Sequence, residues 1–329
     1  MNSDLITVSR MRDFNACRRR HHIKYELGYR PSTTAEALTF GTLVHAGLEV
    51  WWQKGGDLPA AHAAVQKILT AEVDEVTIAK VNVLLAGYDA RWRSTMGQFE
   101  VLAVEAEFRA PLRNPATGYP CRDLEVAGKL DVIVRNHGDG SVWFVEHKTS
   151  SEDLSSGSAY WQRLRMDPQV SVYYDGAKAL GYDVAGCIYD VLAKPRERPY
   201  KATPMESRKY TKEGKLYKNQ READETIDEF RDRITATMTE SPDGYFGRAE
   251  VIRTEAELVE SAKDTHATAL MIRECERTGR NPRNPDACFL PGRSCPFHDV
   301  CCGLASLDDE TRFMRLENPH PELGNDNNP

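Results

Sequence analysis

The feature that most constrains this fold is a pair of apolar runs, each carrying charge, separated by a short turn. Leu124 to Arg135 and Ser141 to Thr149 are rich in Val, Ile, Phe and Trp, and His137-Gly138-Asp139-Gly140 between them has the composition of a hairpin turn. Side chains alternate along a strand, so Glu146 and Lys148 share a face, and a suitable register sets Asp131 beside them. Two carboxylates at one point offer the hard oxygen ligands that Mg²⁺ or Mn²⁺ takes, and a lysine alongside can orient a water for attack on a phosphodiester. Taken alone, such a triple is more often a charge ladder on a solvated hairpin. Here Trp143-Phe144-Val145 runs directly into Glu146, and Val132-Ile133-Val134 follows Asp131. Charges at the ends of apolar strands point to a site.

Around this hairpin the chain alternates helix and strand. Ser9 to Leu27 reads as a helix capped by Ser9 and stopped by Gly28 and Pro31, carrying Cys17 and the run Arg18-Arg19-Arg20. Phe40 to Gln53 and Pro59 to Met96 have helical periodicity, broken by Gly55-Gly56. Phe99 to Leu112 reads as a strand, Ser156 to Leu180 as one long helix, Val184 to Ala193 as a buried strand, and Arg221 to Thr239 as a helix. The last third reads as helical as far as Thr278, before a turn-rich knot from Cys288 to Cys302 that contains Pro291-Gly292. The expected class is therefore α/β, with a central mixed β-sheet flanked by helices. The expected divisions are an N-terminal helix over 1–30, a helical region over 31–98, a core over 99–250, a C-terminal helix and cysteine knot over 251–305, and a disordered tail over 306–329 rich in Asn, Pro and acid.

A net charge of −7 argues against a protein that coats nucleic acid by bulk charge. Positive charge is instead concentrated: Met1 to Arg30 holds seven Lys and Arg against three acids, and Lys194 to Arg221 holds ten against three, interleaved with Tyr200, Tyr210 and Tyr217. Two basic stripes on an acidic body suggest a confined track for a polyanion, with tyrosines suited to stacking on single-strand bases, although a solvated loop explains the second stripe equally well. No apolar run approaches the ~20 residues of a membrane span and no signal segment opens the chain, so a cytoplasmic protein is expected. No GxxxxGKS/T loop occurs, so an ATP-driven motor would be a separate protein.

The sequence has eight cysteines, and without a secretory signal a disulfide framework is the weaker reading. Cys288, Cys295 and Cys301 are spaced to bring three thiolates together, with a fourth ligand missing locally and Cys302 a rival for the fourth position or for that of Cys301. Four cysteinates suit zinc or an iron-sulfur cluster. Cys121, Cys187 and Cys275 read as small apolar residues.

Gly128-Lys129-Leu130-Asp131 and Glu146-His147-Lys148 resemble the GxxD and ExK motifs of the RecB-like branch of PD-(D/E)XK nucleases, which includes AddB-type and CRISPR-adaptation nucleases; Leu130 stands where the superfamily's naming proline falls. Three further matches follow in the family's order. Gly41-Thr42-Leu43-Val44-His45 with Glu49 resembles the upstream helix motif, Glu105 falls where many relatives carry a glutamate on the first strand, and Gln169 with Tyr173 resembles the QxxxY signature.

The resemblance spans roughly residues 10–195 and 288–301. It implies a restriction-endonuclease-like core in which His45, Asp131, Glu146 and the backbone carbonyl of His147 hold Mg²⁺ or Mn²⁺, and Asp131, Glu146 and Lys148 are catalytic. It further implies that Cys17 joins Cys288, Cys295 and Cys301 around a [4Fe-4S] cluster, and that Gln169 and Tyr173 contact DNA; Arg18 and Arg19 would line its path. The implied activity is a metal-dependent DNA nuclease, an exonuclease on ends or single strands, acting in recombination, repair or phage DNA processing and compatible with a helicase or recombination partner. The alternatives are a non-catalytic iron-sulfur DNA-binding subunit of a helicase-nuclease or CRISPR-type assembly, and a structure-specific endonuclease.

Overall fold

The computed structural model describes residues 4–32, 36–290 and 293–323. In chain order the elements are β1 (Asp4–Ile6), α1 (Val8–Ala16), α2 (Arg18–His21) running into a π-turn (His22–Glu26), β2 (Tyr29–Pro31), α3 (Glu36–Gln53), α4 (Leu58–Lys67) and α5 (Glu75–Trp92). Then come β3 (Phe99–Arg113), β4 (Pro120–Asn136), β5 (Val142–Ser150), α6 (Ala159–Leu164), α7 (Pro168–Ala179), β6 (Val184–Ala193), α8 (Ile227–Glu240), β7 (Phe246–Val251) and α9 (Glu255–Thr278). The short β8 (Phe289–Leu290), β9 (Arg293–Ser294), α10 (His298–Cys301) and β10 (Phe313–Arg315) close the described chain.

Six strands form one mixed sheet, in the order β1-β4-β5-β6-β7 with β3 also paired to β4. The hairpin between β4 and β5 forms where the sequence places it: Gly140 takes φ 74°, Gly138 N–H donates to Asn136 Oδ1 at 2.8 Å, and Asn136 N–H donates to the Ser141 carbonyl at 2.8 Å. From β5 the chain crosses through α6 and α7 to the parallel neighbour β6. Each face is covered. On one side Phe14 of α1, Tyr173 of α7 and Ile272 of α9 pack with Phe108, Leu130, Phe144 and Val191 of the sheet. On the other, Trp51, Trp52, Leu84, Tyr88, Phe230 and Ile234 from α3, α5 and α8 pack with Val132, Val145 and Ile188. The α/β class with a mixed sheet flanked by helices is thus the observed one.

Several boundaries differ from the sequence reading. The N-terminal helix is capped by Thr7 and not Ser9, and it breaks at Cys17, which is extended at φ −163°, ψ 115°. The expected helix over Ser156 to Leu180 is two, because Asp167 caps α7 and Pro168 occupies its first turn, where the ring excludes the preceding residue from helix. Pro59 to Met96 likewise divides, with Asp74 capping α5. β7, an antiparallel partner of β6, lies inside a stretch read as helical.

The expected disordered tail is corrected as far as Leu323. β10 pairs antiparallel with β2, Phe313 is buried with Ile23 and Phe297, and His320 and Leu323 are buried. The Thr7 hydroxyl donates to Glu322 Oε1 at 2.9 Å, so the C-terminal segment packs on the N-terminal one. Residues 324–329 and the Pro291-Gly292 turn lie outside the described residues.

Candidate active site

The site forms where the sheet forks. β4 pairs with β5 over Val132–Arg135 and with β1 over Leu124–Val126, and the residues between these ladders lack a strand on that side. Asp131 stands at the fork, one residue past the last ladder pair, Val132 opposite Val145. Its Oδ2 accepts the backbone N–H of His147 at 2.7 Å, so a side chain takes the place of the next ladder bond. Glu146 follows Val145 on β5 and turns to the α7 face, where Oε1 accepts from Gln169 Nε2 at 2.7 Å and pairs with the Lys148 ammonium. Gln169 Nε2 also reaches the Tyr173 hydroxyl at 2.9 Å. The strand alternation that put Glu146 and Lys148 on one face is realised in this ion pair.

Glycines permit the close packing. A Cβ on Gly128 would lie 2.9 Å from the Phe108 ring and 3.1 Å from Tyr173, so only glycine lets α7 approach β4 here. A Cβ on Gly41 would meet Thr149 Oγ1 at 3.3 Å, at the contact that seats α3 over the end of β5. On α3, His45 Nδ1 stands 3.8 Å from Asp131 Oδ2. Glu105 pairs with Lys129 and sits at φ 50°, a left-handed kink in β3 that an L-residue adopts at a cost.

Electrostatics divide the two carboxylates. Burial would raise Asp131, but His45, the hydrogen bond from His147 and Lys148 outweigh it and hold the group below the usual carboxylate range. Burial pushes the Glu146 carboxyl upward, with the Lys148 ammonium opposing and Asp131 adding to it. Burial lowers His45 to about 4 against the pull of Asp131, so its imidazole is neutral at neutral pH and free to act as a ligand. Lys148 is held charged: burial lowers it, yet Glu146 and Asp131 together raise it. With Oε1 engaged twice, Glu146 Oε2 is buried without a hydrogen-bond partner among the described residues. An unpartnered buried carboxylate oxygen is costly unless a cation meets it, so the residues present fit a small divalent ion. Among the described residues, no three His, Cys, Asp or Glu side chains already form a metal-holding group.

Beneath the site is a buried polar network that the sequence reading missed. Trp52 Nε1 donates to His147 Nε2 at 2.9 Å, which places the imidazole proton on Nδ1, 3.4 Å from Asp131 Oδ2. The Tyr88 hydroxyl donates to Asp190 Oδ2 at 2.6 Å, and Arg248 Nη2 donates to the same oxygen at 2.7 Å. The one available signal was Asp190 itself, a charge inside the apolar run Cys187 to Leu192.

Gln169 and Tyr173 are both buried beside the site, where Gln169 donates to Glu146 and to the Tyr173 hydroxyl, so the pair braces the carboxylate. Of the arginine run, Arg18 stacks over the Phe14 ring at 4.6 Å and Arg19 Nε donates to the Asn281 carbonyl at 2.9 Å. In the second basic stretch Tyr200, Tyr210 and Tyr217 are exposed, while Lys201 and Arg221 pair with Asp224 and Glu229.

Cys295 N–H donates to the Cys288 carbonyl at 2.7 Å, yet among the described residues Cys17, Cys288, Cys295 and Cys301 do not already form a group placed to hold a metal. Burial raises the Cys295 thiol, with Cys288 and Cys17 adding to it, and burial raises Cys301, with Cys295, Cys17 and Cys288 adding. Asn284 Nδ2 donates to the Ala16 carbonyl at 2.9 Å and Arg19 N–H to the Pro282 carbonyl at 3.2 Å, fastening the two ends beside the thiols. Cys302 is exposed, 3.6 Å from His298 Nε2.

A forked mixed sheet with an acidic pair and a lysine at the fork defines a nuclease-type core. The chain belongs to the PD-(D/E)XK nuclease superfamily, whose family model matches residues 5–302. No curated protein matches it. Among solved structures it is similar to a protein from Eubacterium rectale provisionally designated an exonuclease, at 12% identity and TM-score 0.48, covering 92% of this chain and 89% of that one. It is also similar to a protein described as SSO0001, at 14% identity and TM-score 0.26, covering 71% and 78%.

Proposed function

We propose that this chain is a Mg²⁺- or Mn²⁺-dependent deoxyribonuclease of the RecB-like branch, acting as an exonuclease on DNA ends or single strands. The observation that carries this reading is the unpartnered buried oxygen Glu146 Oε2 beside Asp131, Lys148 and a neutral His45. Asp131, Glu146, His45 and the His147 carbonyl would hold the ion, which when bound supplies charge stabilisation at the phosphorus oxygens and a more acidic water. Lys148, kept protonated by two carboxylates, orients the attacking water and offsets charge building on the phosphate. Gln169 keeps Glu146 turned into the site. Arg18 and Arg19, on the N-terminal segment, are the proposed outer contacts to DNA.

We further propose that Cys17, Cys288, Cys295 and Cys301 hold a [4Fe-4S] cluster that clasps the two ends of the chain, a structural role with no redox step. The bond from Cys295 N–H to the Cys288 carbonyl and the tie of Asn284 Nδ2 to the Ala16 carbonyl, which brings residue 17 beside the C-terminal knot, support it. Anaerobically purified protein should contain iron and acid-labile sulfide, both lost in Cys17→Ser; stoichiometric zinc without sulfide would overturn this part. For the activity, linear DNA should be degraded from its ends with Mg²⁺ or Mn²⁺ while covalently closed circles survive. Nicking of circles would favour the endonuclease reading, and binding without cleavage would favour a non-catalytic subunit of a larger assembly.

A further inference from the structure

Arg12 lies at the rim of the site and no motif accounts for it. On the solvent side of α1, its Nη2 donates to both oxygens of Asp167, at 2.7 and 2.9 Å, while among the described residues Nε and Nη1 make no hydrogen bond. The Arg12 side chain keeps 49% of its surface exposed and that of Asp167 only 18%, so the carboxylate is the fixed partner and the guanidinium the presented one. Asp167 is itself pinned: its Oδ1 accepts from Gln169 N–H at 2.8 Å as the cap of α7. Gln169 is the residue that braces Glu146. A chain of three contacts therefore runs from Arg12 to the Glu146 carboxylate. A guanidinium with a free planar edge is suited to a phosphate, and here that edge is oriented before any ligand arrives.

We infer that Arg12 binds a backbone phosphodiester of the DNA strand lying across the site, and that Asp167 is its positioning residue. This rests on the nuclease reading above. It also gives α1 a task of its own: it delivers a substrate contact to a site otherwise built by α3, β4, β5 and α7.

The test measures binding of a fluorescent single-stranded oligonucleotide with hydroxyl ends, so that only phosphodiesters are available, in a Lys148→Ala background that leaves the strand uncut. Arg12→Ala should weaken binding several-fold at low salt and reduce the slope of log Kd against log salt by about 0.7, the share of one phosphate contact on a single strand. Arg12→Lys should keep the slope, since it keeps the charge. Asp167→Asn should preserve the helix cap and the slope while weakening binding, because the guanidinium loses its anchor. An unchanged slope in Arg12→Ala, with Tm lowered as much as in Asp167→Asn, would reduce the pair to a tether between α1 and α7 and overturn the assignment alone. Failure of the Lys148→Ala parent to bind, together with no cleavage by wild type, would remove the nuclease reading and this assignment with it.

Discussion

Asp131 Oδ2 accepts the backbone N–H of His147 at 2.7 Å, so the carboxylate that stands at the fork of the sheet also closes the fork. Asn in its place can still accept that N–H through Oδ1 but loses the negative charge. Asp131→Asn should therefore keep the fold and Tm near wild type while lowering kcat by about 10²-fold or more. Steady-state cleavage and thermal unfolding of the same preparation check it; retained activity would show that the charge is dispensable.

Gly128 is where α7 touches β4. In Gly128→Ala the added methyl meets the Phe108 and Tyr173 rings at 2.9 and 3.1 Å, and overpacking of this kind costs about 1–3 kcal/mol. Tyr173 and its partner Gln169 must shift, so activity should fall further than stability alone explains. Urea unfolding read beside activity at saturating metal separates the two effects.

The network under the site is a stability element. Tyr88→Phe removes the hydroxyl that donates to buried Asp190, whose other oxygen, Oδ1, already has no partner. The expected loss is about 1–3 kcal/mol in chemical denaturation. A neutral result would mean that Arg248 alone satisfies Asp190.

Stability should also respond to pH through Glu276. Burial raises its carboxyl from 4.5 to about 7, with Arg10 opposing. A carboxyl raised on folding favours the protonated folded state, so its contribution is complete below pH 4.5 and is lost as pH rises through about 7. Tm should fall across that window more in wild type than in Glu276→Gln, as a pH series of thermal melts would reveal; parallel curves would contradict it.

The hairpin and the Glu146–Lys148 face were legible because both rest on local rules, turn glycines and strand alternation. The break before Pro168 was missed, because helical periodicity on both sides concealed the Asp-Pro helix-start signal. β7 was hidden for a different reason: Phe246 to Val251 lies in a stretch read as helical, and only its pairing with β6 makes it a strand. The same holds at the C terminus, where His320 packs against the Tyr25 ring and Glu322 accepts from Thr7, contacts across almost the whole sequence that composition does not register. Within the site, Asp131, Glu146 and Lys148 came from strand logic and motif resemblance. The bond from Gln169 to Glu146 and the placing of Arg12 by Asp167 depend on how α1 and α7 dock, a tertiary outcome.

The most direct test of the central claim is digestion of end-labelled linear single- and double-stranded DNA with Mg²⁺ or Mn²⁺, comparing anaerobically purified wild type with Lys148→Ala. Metal-dependent cleavage by wild type that is lost in the variant is the predicted result, whereas a wild type that binds DNA and leaves it intact would contradict the account.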